Sequence, residues 1–386
     1  MRNGLAALLV AMAAPAAWAE VDTGYNYRGR PAILLENRQI RLVVLKTGGS
    51  FPSITLAGDA DPTNPMWDSL RADQEQGRPQ RVTGAVGHFI CVDGFGQPSD
   101  EERRAGMEGH GEAHRLAWST EFAGESEGSS VLRQAVTLPR VQEALRREVR
   151  LLPGENVVYV KAHVTSLLDF DRPLNWAEHA TIGSPFLERG VTVVDMSSNR
   201  ALTRPRERAT RSGLAHRLAS REEFEWPMAP ARKGGLIDLR AAPLESHSLD
   251  HTGHRMDPDD EWAFVTALHP ERRLLLGYLF RPGEFPWLQT WESYPRDRMM
   301  ARGLEFGTQA FDLPRREVVT QGKIFGTPLY RWLPARSTIG ASYLMFWTRT
   351  PEGFAGVDEA VWSDGVLRLR DGRSGKTVEL AAGGTL

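Results

Sequence analysis

The stretch from 143 to 166, "EALRREVRLLPGENVVYVKAHVTS", constrains the fold more than any other part of the chain. Two runs in which apolar and polar residues alternate, "REVRL" and "VVYVKAHV", flank the turn-forming "PGEN". A side-chain period of two puts one strand face on a core and the other toward water, as antiparallel sheets do. The same grammar recurs along the chain. "AILLENRQIRLVVLK" (32–46) holds two apolar runs broken by Glu36, Asn37 and Arg38, and "SITL" follows the Gly48-Gly49 turn. Further short runs, "VLRQAVTLP", "VTVVDM", "WAFVTALHP", "RLLLGYLFRPG", "ASYLMFWTR" and "GVLRLRDGRSGKTVEL", are parted by turn residues. No amphipathic helix longer than about three turns is visible, "DEERRAGME" being the best short one. Without crossover helices a parallel βαβ sheet is disfavoured. The expectation is an all-β chain, one large antiparallel β-sandwich, with no linker dividing it.

The segment "MRNGLAALLVAMAAPAAWA" reads as a secretory signal: Arg2, then the apolar run Leu5 to Ala14, then the small-x-small site Ala17-Trp18-Ala19. A cut after Ala19 leaves residues 20–386 as a single mature domain. The apolar run is shorter than the roughly 20 residues of a membrane span. The chain is therefore expected in the periplasm or outside the cell, with no membrane span after cleavage. Its formal net charge of −2 offers no general attraction for nucleic acid or anionic lipid. With Cys91 as its sole cysteine it has no internal disulfide and depends on its core. The charged stretch 201–223 is expected as an exposed excursion.

Three stretches can carry chemistry. In "MEGHGEAHRLAW" (107–118), His110 and His114 stand four apart with Glu112 between them. A zinc-protease helix needs its Glu directly after the first His, and Gly109 and Gly111 would each cost a helix roughly 1 kcal/mol, so that chemistry is rejected. A second group, His247, His251 and His254 in "SHSLDHTGHRMDPDD", reads as a solvated loop in preference to a metal site. In "LNWAEHATIGSPFLE" (174–188), His179 stands near Trp176 and an acid; it is either a proton carrier near neutral pH or a satisfied core residue. In "FPWLQTWESYPRDRMMARGLEFGTQAF" (285–311), Trp287, Trp291 and Tyr294 are spaced to line a groove. Glu305 lies in an apolar segment there and must be hydrogen-bonded, paired or functional. Burial would raise its pKa toward a useful range; a salt bridge to Arg298 or Arg302 is the alternative.

Taken in order, these stretches resemble the galactose mutarotase-like family, the aldose 1-epimerases and their relatives, from about residue 30 to 350. "LVVLKTGGSFPSITLAG" looks like the family's N-terminal strand pair. "GHGEAHRLAW" matches His110 to its first active-site His, and the long "REVRLLPGENVVYVKAHVTSLLDFDRPLNWAEHATIGSPFL" brings His179 to the second. "WESYPRDRMMARGLEFGT" matches Glu305 to the catalytic Glu, while "EFEWPMAPARKGGLIDL" is nearer to uncharacterised epimerase-like relatives. The resemblance implies a large antiparallel β-supersandwich that binds a monosaccharide or short glycan and needs no metal or organic cofactor. It implies that Glu305 is the base at O1, His179 the acid at the ring oxygen, and His110 a hydroxyl holder. Glu112, Arg81, Trp176, Trp287 and Trp291 would complete the sugar groove, with His114 structural. The family's sugar-binding Asp has only Asp238 or Asp250 as counterparts, and "AEHATIGS" stands where an Asn-x-x-Asn-Leu type segment is usual. These departures leave two alternatives: a sugar-binding protein without turnover, and a carbohydrate lyase or hydrolase using Tyr294 and His179.

Overall fold

A computed structural model describes residues 19–60, 62–79, 85–205 and 213–386. The proposed signal up to Trp18 and the candidate Arg81 lie outside the described residues, as does part of the 201–223 excursion.

The strand pair read from the sequence is there. Glu143–Leu151 and Val157–Ser166 pair antiparallel across "PGEN", with Leu151 opposite Val158 and Val149 opposite Val160. They lie within an eight-stranded sheet whose order is Val193–Met196, Ala263–His269, Leu274–Phe280, Thr338–Arg349, Val157–Ser166, Glu143–Leu151, Ser129–Leu138, Ser119–Ser126. A second eight-stranded sheet faces it. Its strand Trp176–Gly183 pairs with His88–Val92 on one edge and with Ala301–Gly303 and Glu305–Gly307 on the other. Trp287–Tyr294 and Ser248–Met256 continue that sheet outward. Leu145, Val149, Val160 and Val164 of the first sheet meet Ile90, Trp176, Ile182 and Phe306 of the second in the main core. The architecture is an all-β antiparallel sandwich.

The apolar run "LLLGYLF" has no polar alternation, and its strand is covered on both sides. Leu276, Tyr278 and Phe280 face the main core, while Leu275 and Leu279 face a third layer. That layer is the three-stranded sheet Glu359–Ser363, Val366–Asp371 and Lys376–Ala381. It seats Leu367, Leu369, Val378 and Leu380 on Tyr159, Leu344 and Phe346. A strand buried on both faces reads as a continuous hydrophobic run.

Helices are short: Ser69–Glu75, Asp100–Arg104 and Arg315–Gln321. The second falls within "DEERRAGME" and starts with a capping box between Ser99 and Glu102. The stretch holding His251 and His254 differs from expectation. It is the strand Ser248–Met256, with His254 fully buried, not a solvated loop. Among the described residues no helix is long and apolar enough to cross a membrane.

Candidate active site

Strand alternation decides which side chains can share a site. Along Trp176–Gly183, Trp176, Ala180 and Ile182 pack in the main core. Ala177 and His179 point out of the opposite face, in register with Cys91 and Phe89. Phe306 also faces the core, so its neighbour Glu305 emerges on the side of His179, opposite Gln289.

His179 is held on every side. Phe89 stacks on it at 4.2 Å between ring centroids, and Thr181 Oγ1 lies 3.0 Å from its Nδ1. Its Nε2 faces Glu305 Oε1 at 3.4 Å. The Glu305 carboxyl folds over Gly303, where a Cβ would stand 2.1 Å from Oε1. Glu305 Oε2 accepts a hydrogen bond from Gln289 Nε2 at 2.8 Å, whereas Oε1 has no hydrogen-bond partner. Gln289 is itself fixed, because its Oε1 accepts from the Asp312 N–H at 2.7 Å. Burial pushes the Glu305 carboxyl up to about 8, against the opposing pull of Gln289 and Arg204. Burial holds the His179 imidazole well below its usual range, with the nearby His110 adding to the effect. Both shifts run the same way, since burial disfavours the charged form of each group.

The His-Gly segment closes the site from above. His110 has φ 63° and Gly111 φ 73°, two consecutive left-handed residues. The turn is pressed so hard on strand His88–Val92 that a Cβ on Gly111 would lie 2.5 Å from Val92 O, which requires glycine. The Gly96 N–H donates to His110 Nδ1 at 3.3 Å, leaving the ring proton on Nε2. The ring stands edge-on to His179, centroids 4.9 Å apart. Burial lowers the pKa of His110 to about 4 and that of His114 to about 3, so both are neutral donors or acceptors at physiological pH.

His110, His114, His179 and Phe89 floor a cavity of about 550 Å³, well within the roughly 300–1,000 Å³ of small-molecule sites. Trp67 and Trp291 wall it, set edge to face at 6.2 Å. Arg78, Arg115 and Arg298 stand around it. Two tryptophans and three uncharged imidazoles suit a ligand with apolar C–H faces and many hydroxyls. Among the described residues no group of three or more His, Cys, Asp or Glu is placed to hold a metal ion.

The sequence-derived set is thus brought together in part. His110, His179 and Trp291 line the cavity, and Glu305 lies directly behind His179. Glu305 makes no salt bridge to the two arginines considered for it: Arg302 faces Glu292, and Arg298 pairs with Asp297. Glu112 does not line the cavity. Its carboxylate accepts the backbone N–H groups of Arg140 at 3.0 Å and Val141 at 3.2 Å, bracing a turn. Trp176 is not a groove residue either, being fully buried with Nε1 donating to Glu178 Oε1 at 3.1 Å. Three residues along a strand from His179, it must face the other way. Trp287 shares the outer face with Gln289 and Trp291, but Phe311, Val318, Ile324 and Leu329 cover it, and its Nε1 donates to Pro328 O. Asp238 is salt-bridged to Arg240, Asp250 to Arg217, and Tyr294 packs with Arg217; none of them lines the cavity. Trp67 and Gln289 carry no signal in the sequence that singles them out. His114, expected to be structural, lines the cavity with an unpartnered Nδ1.

The chain matches no protein-family profile and no curated protein. Its architecture does match solved structures. It is similar to a candidate aldose 1-epimerase from Klebsiella pneumoniae, at 14% identity and a TM-score of 0.59 over 86% of this chain and 83% of that one. A galactose mutarotase-like protein from Clostridium acetobutylicum gives 12% identity and 0.57 over 86% and 99%. A galactose mutarotase related enzyme from Lactobacillus acidophilus gives 15% and 0.54 over 83% and 99%. At such identities the likeness defines the fold: this chain has the galactose mutarotase-like fold.

Proposed function

We propose that this chain is an exported, carbohydrate-active protein that interconverts the anomers of a reducing sugar by acid–base ring opening. The observation that supports this most is the contact of His179 Nε2 with Glu305 Oε1, 3.4 Å apart, beside a cavity that His179 lines and Trp67 and Trp291 wall. Ring opening needs one group to take the O1 proton while another protonates the ring oxygen. The bond from the anomeric carbon to the ring oxygen then breaks, leaving an aldehyde whose rotation and reclosure give the other anomer. O1 and the ring oxygen share one carbon, so two groups in mutual contact can serve both. Burial favours the uncharged form of each group, which supports the reverse of the roles implied by the resemblance, with His179 as the first base and Glu305 as the first acid. The roles exchange on closure, as microscopic symmetry of the step requires. Glu305 Oε1 is buried without a hydrogen bond of its own, 3.4 Å from His179 Nε2, so the carboxyl would exchange its proton at the rim that His179 forms. His110 and His114 hold hydroxyls.

The test is polarimetry or one-dimensional proton NMR on freshly dissolved α-D-glucose and α-D-galactose. Wild type should speed equilibration, and Glu305→Gln and His179→Asn should each slow it by roughly 10²–10⁴-fold while staying folded. Wild-type rates from either variant would overturn the assignment. The complete burial of Glu305 favours a second reading, a sugar-binding protein without turnover. Saturable sugar binding with no acceleration would select it.

A further inference from the structure

Beside the first cavity lies a second, also of about 550 Å³, and Arg298 lines both. Met299 belongs to the first and Met300 to the second. The two cavities thus share Arg298 and part at consecutive residues of one segment. Arg71, on the helix whose Ser69 and Leu70 wall the first cavity, donates a hydrogen bond to the carbonyl of Ser184, which walls the second.

The second cavity carries an excess of positive charge. Arg189, Arg296 and Arg298 line it against one carboxylate, that of Glu245. Arg189 donates to the carbonyls of Pro243, Tyr294 and Pro295 and to Ser246 Oγ, all of them neutral acceptors. Arg296 has no acid partner among the described residues, and Arg298 has only its exposed neighbour Asp297. Burial and the charge of Arg296 both lower the pKa of Arg189, so two cations face one space with little to offset them. Guanidinium groups in that position suit the planar, multidentate oxygens of an anion. Arg78 and Arg115 of the first cavity pair with Asp73 and Glu108, whereas Arg189 and Arg296 of the second show no acid partner among the described residues.

We propose that the ligand is longer than one sugar and anionic: the reducing unit occupies the first cavity, and an adjoining unit places a carboxylate or sulfate among Arg189, Arg296 and Arg298. This deepens, and rests on, the reading of the first cavity as a sugar site. It assigns Arg296 and Arg298 to specificity and leaves the proton chemistry to His179 and Glu305.

Isothermal titration of the full chain tests it with three ligands: a neutral reducing disaccharide, the same disaccharide with its non-reducing unit oxidised to the uronic acid, and the same disaccharide sulfated at that position. The expected result is that one anionic ligand binds about tenfold or more tighter than the neutral one, and the better arm identifies the anion. That ratio should fall toward one in Arg296→Glu, in Arg298→Glu and at high salt. Equal affinities for all three ligands in wild type would overturn the proposal and leave the sugar reading standing. An anion preference undiminished in both charge-reversal variants would also overturn it. Failure of all three ligands to bind would overturn both readings together.

Discussion

Glu178 and His179 are neighbours on one strand, and each ends at a histidine–carboxylate contact, but the two contacts differ in kind. On the core side, Glu178 Oε2 lies 2.9 Å from His88 Nε2 and 3.3 Å from Tyr343 OH, and Oε1 takes the Trp176 Nε1–H. Both oxygens are occupied, and the main core packs around them. On the outer side, Glu305 keeps one oxygen without a hydrogen bond, 3.4 Å from a histidine that reaches open volume. Both carboxyls are buried, so burial alone does not distinguish structure from site. Unspent hydrogen-bonding capacity beside a cavity does.

Breaking the closed contact should have the largest effect. Glu178→Ala strands His88, Tyr343 and Trp176 in the core and should cost about 3–5 kcal/mol in urea unfolding. A loss below about 1 kcal/mol would erase the contrast. Next comes the pH dependence of the open contact. The folded Glu305 carboxyl is raised from 4.5 to about 8, so its stabilising protonation is complete below about pH 4.5 and is lost as pH rises through about 8. Glu305→Gln removes that loss. Its stability relative to wild type should therefore grow across this window by a few kcal/mol, since each tenfold change in proton affinity is worth about 1.4 kcal/mol. Glu143, also pushed up to about 8 by burial, leaves a residual slope in the variant. Equal slopes in the two proteins would show that the carboxyl ionises freely. Turnover should likewise decline above about pH 8, where the carboxyl has lost its proton.

A third substitution separates position from presence. Gly303→Ala keeps Glu305 but drives a methyl into the space of Oε1. The carboxyl end is flexible, so the stability cost should be about 1–3 kcal/mol, while anomer interconversion drops by roughly 100-fold. Retained turnover would mean that the carboxyl works from another rotamer. The smallest effect is expected at the wall. Trp291→Ala should weaken sugar binding several-fold, about 1 kcal/mol, with little change in the pH profile.

How much of this was legible in the chain follows from which signals are local. Alternation in "REVRL" reports a half-covered strand, as found, but "VVYVKAHV" is covered on both faces at its start, where Val157 and Tyr159 meet the third layer. The same rule, applied one step further, would have parted Trp176 from His179, because an odd spacing in a strand puts two residues on opposite faces. Glu305 stands out as an acid in an apolar segment, and the structure adds that Gly303 makes room for its carboxyl. Trp287 lies on the right face, but a distant segment, 310 to 329, decides that it is covered. Glu112 and His114 belong to a turn with no period, so nothing in their spacing says which points into the cavity and which braces the backbone. Trp67 arrives from a segment far from the other site residues, packed against Gly183.

The C-terminal three-stranded layer lies on the outer face of one sheet, while the cavity opens from the outer face of the other. The molecule is therefore polar in the geometric sense, with a working side and a back. Its back is rich in exposed ionic side chains such as Arg368, Arg370 and Glu379. A support or a label attached through that layer would leave the mouth of the cavity facing free solution. The same two-sidedness would let a bead or an electrode present every copy of the protein in one useful orientation.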